Sequence, residues 1–134
     1  MIAQLEESGV DIVAASAHHP QGGIEGIPAW RLALSRGASV IYGWILPVKL
    51  YGYTGCMRAF RRQAVERLEF REPGFLGVTE MLVHALLDGM TVIEYPTVLR
   101  IRTTGVSKMN SARVLRDHVG FMLGIILRRR PKAA

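Results

Sequence analysis

The sequence contains a single cysteine, Cys56, among 134 residues. A lone thiol excludes an intramolecular disulfide framework and any cysteine-built zinc cage. Long apolar runs are also missing. No uninterrupted stretch approaches the ~20 residues that a membrane-spanning helix requires. Aromatic residues are few, at 7%. There is no G-x-G-x-x-G segment and no Walker loop, so neither common phosphate-cradling signature is present. No Asp-x-Asp pair is available to hold a divalent cation between phosphates. The opening residues, Met1 to Gly9, carry Glu6 and Glu7 and lack a basic stretch, so no secretory signal is expected.

Acidic residues are scarce in one part of the chain only. Residues 1–97 hold 8 Lys/Arg against 10 Asp/Glu, whereas residues 98–134 hold 9 Lys/Arg against the lone Asp117. The net charge of +6 therefore sits in the last third. Such a segment suits an anionic neighbour: nucleic acid, anionic lipid or a phosphorylated substrate. Phe121 is its sole aromatic residue, which leaves nothing for bases to stack on and argues against nucleic acid.

At 49% apolar and 21% charged, the chain has enough hydrophobic content for one packed domain of this length. Helix and strand signals alternate. A helix end over residues 2–8 is closed by Gly9. Val10–Ala15 reads as a buried strand and His18–Gly26 as a loop. A helix from about Pro28 to Leu46 follows, with Gly37 and Gly43 as points of loosening. Cys56–Phe60 reads as a strand, Gln63–Leu68 as a short helix and Val78–Leu87 as a helix stopped by Gly89. Met90–Tyr95 is a strand broken at Pro96, and Thr97–Ile101 is another. Thr103–Asn110 is a polar loop, and a helix begins at Ser111. Mixed strands and helices imply an α/β fold.

Several residues could carry chemistry. Arg31 and Ser35, four apart on a helix, share one face; a guanidinium fork and a hydroxyl together suit phosphate oxygens. Arg100, Arg102 and Lys108 surround a glycine-containing loop of the kind that closes over anionic substrates. Glu80 lies near a helix start, where it could orient a sugar hydroxyl, act as a base or cap the helix. His18 and His19 are adjacent and point apart in extended chain, and His84 and His118 have no partner at ligand spacing. No metal site is expected from the histidines. In the last helix Leu115, Val119, Met122, Leu123 and Ile126 form a stripe. Arg113 and Arg116 precede it, and Arg128, Arg129, Arg130 and Lys132 follow. An apolar face with flanking cations suits an anionic membrane surface. The apolar stretch Val119–Leu127 reaches only ~14 Å at 1.5 Å per residue, too short to span.

Five segments in order carry a family resemblance: DIVAAS with its following Gly-Gly loop (Asp11–Gly23), WRLALSR (Trp30–Arg36), YTGCMRAFRR (Tyr53–Arg62), GFLGVTEM (Gly74–Met81) and EYPTVLRIRTTGVSKM (Glu94–Met109). Together they resemble the C-terminal half of glycosyltransferase family 2 enzymes of the GT-A fold. The nearest subgroup is the polyprenol- or dolichol-phosphate mannosyltransferases. The resemblance implies a partial GT-A, Rossmann-like domain over residues 1–110, with a mixed sheet and flanking helices. Residues 111–134 would form a basic amphipathic helix suited to a membrane interface.

By the same resemblance, Arg31, Ser35 and Arg102 bind the phosphate of a polyprenyl-phosphate acceptor, and Glu80 is a catalytic-site residue near the sugar. The donor would be a nucleotide-sugar and the setting the cytoplasmic membrane face. In the intact family Mg2+ or Mn2+ is held at an Asp-x-Asp site, which this chain lacks. Two further departures are visible. Where the family shows Gly-Ser-Arg after the first strand, this chain has Ala15, Ser16 and Ala17. Where the family has an aspartate, it has Gly52. A lipid-phosphate-binding module without chemistry is the alternative expectation.

Overall fold

The computed structural model describes residues 1–69, 71–72, 74–101 and 110–129. The elements along the chain are α1 (Ile2–Ser8), β1 (Ile12–Ser16), β2 (Gly23–Glu25), α2 (Ala29–Ile45), β3 (Arg58–Phe60), α3 (Arg62–Arg67), α4 (Phe75–Leu87), β4 (Val92–Pro96), β5 (Val98–Arg100) and α5 (Ser111–Arg129). The fold is α/β, with a mixed sheet flanked by helices, as the alternation of signals implies.

β1 is the central strand of a three-stranded sheet, β3-β1-β4. Its residues Ile12, Val13 and Ala14 are at most 2% exposed, which accounts for an unbroken apolar run rather than an alternating one. β4 pairs parallel to β1, Ile12 opposite Val92 and Ser16 opposite Pro96. β3 pairs antiparallel, Ile12 opposite Phe60. Asp11 fixes the start of β1: its carboxylate accepts from the Thr91 N–H at 2.7 Å and the Thr91 hydroxyl at 2.8 Å. Those hydrogen bonds hold its pKa below the ordinary carboxylate value.

Three expectations are corrected. The segment His18–Gly26 is not all loop, because Gly23–Glu25 forms β2, which pairs parallel with β5. The turn before it requires glycine: a Cβ on Gly22 would lie 2.8 Å from the Ala17 carbonyl oxygen and 2.9 Å from that of Ser16. The helix expected from Val78 begins at Phe75, with Gly77 buried inside it. β4 does end at Pro96, as expected, where the missing N–H is tolerated, and β5 begins at Val98. α2 runs unbroken through Gly37 and Gly43.

Helices α2, α4 and α5 enclose the main core, built from Tyr42, Leu46, Tyr53, Leu82, Val83, Leu86, Met122 and Ile125. A smaller core of Ile12, Ala64, Ala85 and Met90 lies under the sheet. The stripe expected on α5 is split. Met122 and Ile125 pack inward, whereas Leu115, Val119, Leu123 and Ile126 stay exposed.

Two buried polar ties lock this arrangement. The Arg58 guanidinium donates to the carbonyls of Val78 and Tyr53, the latter at 2.7 Å, joining the first turn of α4 to the loop before β3. Burial pushes its pKa down to about 10, so it remains charged at neutral pH. Tyr42 of α2 and His118 of α5 meet through the Tyr42 hydroxyl and His118 Nδ1 at 2.9 Å.

This second tie generates a prediction. Tyr42→Phe leaves the buried His118 nitrogen unpaired and should cost about 1–3 kcal/mol in urea unfolding. Burial also lowers the His118 pKa from 6.5. The unfolded chain therefore takes up a proton that the folded chain refuses. The stability from neutral His118 is complete above 6.5 and is lost as pH falls toward the folded pKa. His18, lowered in the same direction, adds to the loss. Unfolding midpoints measured at about pH 7.5 and about pH 5.5 should show lower stability at the acid value.

Candidate functional site

α2 begins after Pro28, whose fixed φ of −58° and missing N–H suit the position before a first helical turn. Arg31 and Ser35 follow one turn apart, both half-buried. The Ser35 hydroxyl lies 3.1 Å from His18 Nε2 and 3.0 Å from the Thr54 hydroxyl. Three segments distant in sequence thus meet at Ser35: the turn after β1, α2, and the loop before β3. The Arg31 guanidinium carbon sits 5.1 Å from the centroid of the Trp30 ring, and its Nε is buried without a protein partner.

Beside this chain of hydroxyls lies Ser16, the last residue of β1, 3% exposed and with its Oγ unpartnered. Gly52 faces it. A Cβ at position 52 would stand 3.3 Å from Ser16 Oγ, 3.9 Å from His18 Cδ2 and 4.0 Å from Glu94 Oε1. The carboxylate at this place comes instead from β4: Glu94 accepts from the N–H groups of Tyr51 at 2.7 Å and Gly52 at 3.0 Å.

Among the described residues, four buried side-chain polar atoms have no hydrogen-bond partner; two of them, Ser16 Oγ and His18 Nδ1, belong to this cluster, and a third, Arg31 Nε, lies one turn before Ser35 on α2. An unpaired buried polar group costs ~1–3 kcal/mol, so the fold carries a stability cost at this place. Desolvation, then the nearby Arg36 charge, lower the His18 pKa against the raising effect of Glu94. The imidazole is therefore mostly neutral at pH 7 and can accept or donate a hydrogen bond.

Glu80 belongs to a different place. It is the sixth residue of α4 rather than part of its first turn, so neither capping nor the helix dipole explains it. It is 4% exposed, and its Oε2 accepts from the backbone N–H groups of Arg71 at 2.9 Å and Glu72 at 2.8 Å. It lines a cleft of about 1010 Å³ together with Arg67, His84, Arg116 and Phe121, and none of Arg31, Ser35 or His18 lines that cleft. Arg102 and Lys108 lie outside the described residues. Arg100, on β5, pairs with Glu25 at 2.7 Å.

Reading the sequence missed Thr54, Glu94 and the pairing of His18 with Ser35. The first two lie inside the YTGC and EYP segments already singled out, so the resemblance had marked the segments but not the residues. The divalent cation implied by the resemblance was tested against the side chains present. Among the described residues no group of three or more His, Cys, Asp or Glu could hold a metal ion, so they do not fit that cation. No helix among them is long and apolar enough to cross a membrane.

The space at Gly52 generates a second prediction. Gly52→Asp would place a carboxylate beside Ser16 and His18. The His18 pKa should then rise by about one unit, by attraction of a nearby opposite charge. Titration of the His18 ring protons by NMR measures this, and an unchanged titration would show that position 52 does not face His18.

No protein-family model matches the chain. A comparison with characterised proteins finds a polyprenol monophosphomannose synthase from Mycolicibacterium smegmatis, 28% identical over 111 residues, which cover 81% of this chain and 42% of that protein. The chain thus spans about two fifths of the length of this relative.

Proposed function

We propose that this chain is the acceptor side of a glycosyltransferase that moves a sugar from a nucleotide-sugar donor to a polyprenyl-phosphate-type lipid at a membrane face. The observation that carries the reading is the cluster around Ser35. Ser35, Thr54 and His18 meet from three segments, Ser16 Oγ and His18 Nδ1 lack partners there, and Arg31, one turn before Ser35 on α2, has a buried Nε without a partner. The likeness to a polyprenol monophosphomannose synthase supports a lipid-phosphate acceptor.

In this reading a phosphate oxygen of the lipid forms a bond to the anomeric carbon of the sugar. The bond from that carbon to the nucleoside diphosphate breaks, and the diphosphate leaves with the electron pair. The attacking phosphate is already an anion, so no strong general base is required. Orientation and charge neutralisation carry the rate. Arg31 and Ser35 would hold the acceptor phosphate, joined by Arg102 from its loop, as the resemblance implies.

The membrane face is supported by two neighbouring helices with unpartnered apolar residues. α2 exposes Trp30, Leu34, Ile41 and Trp44, and α5 exposes Leu115, Val119, Leu123 and Ile126. Arg36 and Arg113 lie on the same helices. Apolar residues interspersed with cations match an anionic bilayer surface.

One observation favours a second reading, a lipid-phosphate-binding module without chemistry. The Glu80 carboxylate is engaged by two backbone N–H groups of its own neighbourhood. Sugar transfer by the chain joined to a front half like that of its relative decides between the two.

Binding tests both. Phosphatidylcholine vesicles doped with polyprenyl phosphate should bind the chain more tightly than vesicles doped with the free polyprenol. Arg31→Ala and Ser35→Ala should each cost more than about 1 kcal/mol of that preference, and the double variant less than their sum, because groups sharing one phosphate are not independent. Equal binding to polyprenol and its phosphate would remove the reading. Ala17→Arg, next to Ser16, should restore a charge-assisted contact and raise affinity by about tenfold.

A further inference from the structure

A second cavity, of about 410 Å³, lies farther along α2, toward its C-terminal end, in the size range of small-ligand clefts. Arg36, Val40 and Trp44 form its helical side, Lys49 and Tyr51 the opposite side, and His18 closes one end. Arg31 and Ser35 are not among its lining residues. It is therefore a separate place from the cluster described above, sharing only the wall made by His18.

Its charge is of one sign. Arg36 and Lys49 face the cavity, no Asp or Glu lines it, and neither cation has an ion pair or hydrogen bond among the described residues. The larger cleft differs, for its Arg71 is paired with Glu69 and its Arg116 with Asp117. Two unneutralised cations in one concavity focus a positive potential and draw in an anion. A guanidinium and an ammonium together supply up to eight N–H donors, which matches the several acceptor oxygens of a phosphate.

The rim identifies the source of that phosphate. Trp44 is 80% exposed, Tyr51 53% and Val40 52%. An indole and a phenol beside an aliphatic side chain are the residues that settle at the boundary between headgroups and acyl chains. A free phosphate in water would leave all three exposed.

We propose that this cavity is a phosphate-binding pocket, in which Arg36 and Lys49 hold the headgroup phosphate of an anionic membrane lipid while Trp44 and Val40 enter the apolar layer beside it. The pocket anchors the chain, independently of what the Ser35 cluster binds. Its anion would stand beside the neutral His18 imidazole and raise its pKa, which gives a local signal of occupancy.

The test uses the full 134-residue chain and lipids that contain no polyprenol. Vesicle flotation with phosphatidylcholine, with and without phosphatidylglycerol, is compared for wild type, Arg36→Gln, Lys49→Gln and Trp44→Ala. Arg62→Gln serves as control, since Arg62 is 91% exposed and lies outside the cavity. Arg36→Gln and Lys49→Gln should each weaken phosphatidylglycerol binding by about fivefold, while Arg62→Gln leaves it unchanged. Trp44→Ala should weaken vesicle binding without affecting the response of the His18 ring protons to inorganic phosphate. Equal effects of Arg36→Gln, Lys49→Gln and Arg62→Gln would mean diffuse attraction and overturn the pocket. An inorganic-phosphate response that needs Arg36 and Lys49, with vesicle binding indifferent to both, would overturn the lipid source. Because polyprenyl phosphate is absent, failure here leaves the reading at Arg31 and Ser35 standing, and failure there leaves this one.

Discussion

The placement of Tyr53 is the constraint on which the site depends. Its ring is fully buried and lies 5.5 Å from that of Tyr42, which anchors it in the main core. Its hydroxyl donates to the Val48 carbonyl at 2.6 Å and accepts from the Leu50 N–H at 3.1 Å, so the chain leaving α2 is folded back around one side chain. Its own N–H reaches the Ser39 hydroxyl at 3.3 Å, and its carbonyl accepts from Arg58. With every polar group of Tyr53 engaged, burial of its phenol incurs little unpaired cost and raises its pKa. The flanking residues have little freedom left. Gly52 is set against Ser16 and Glu94, and Thr54 against Ser35.

The consequences differ for the two faces of α2. The face carrying Ser39 and Tyr42 is buried and rigid, which fixes the helix against α5 and the Tyr53 loop. Arg31 and Ser35 ride on that rigid helix. A binding group held on a packed helix keeps its geometry better than one on a loop, as anion recognition by several converging donors requires. Apolar residues from Trp30 to Trp44 are exposed, so the same helix that fixes the site also presents apolar area outward. Patches of that kind mark interaction surfaces.

Local signals were enough for most of the framework. β1 announced itself by a β-branched apolar run, and α2 by Pro28. α1 ends at Gly9, whose φ of 72° only glycine adopts without strain. What could not be read was whatever depends on a distant partner. β2 is three residues long and exists because β5 lies beside it, 75 positions later. Gly77 lies before the expected start of α4 at Val78, yet it is buried in the helix interior, where packing overrides its low helix propensity. The face shared by Arg31 and Ser35 followed from helical spacing alone. The meeting of His18, Ser35 and Thr54 did not, because it needs the tertiary arrangement of three segments. Glu80 is a further case: its Oε2 accepts from the backbone N–H groups of Arg71 and Glu72, which its position near a helix start does not reveal.

The departures from the family pattern at Ala17 and Gly52 gain a physical sense in this geometry. With glycine at 52 no side chain stands between Ser16, His18 and Glu94. Glu94 then spends its carboxylate on the two N–H groups that a bare loop leaves available. No arginine projects from position 17, and the next residue, His18, turns toward Ser35 while remaining within the influence of Arg36. The two departures thus fall on neighbouring places and act together: the acidic side chain at 52 and the basic one at 17 are absent as a pair, which preserves the local charge balance. What remains is a meeting of the neutral side chains of His18, Ser35 and Thr54 beside the Glu94 carboxylate. The unpaired Ser16 Oγ and His18 Nδ1 cost stability there, and the rest of the fold must offset that cost.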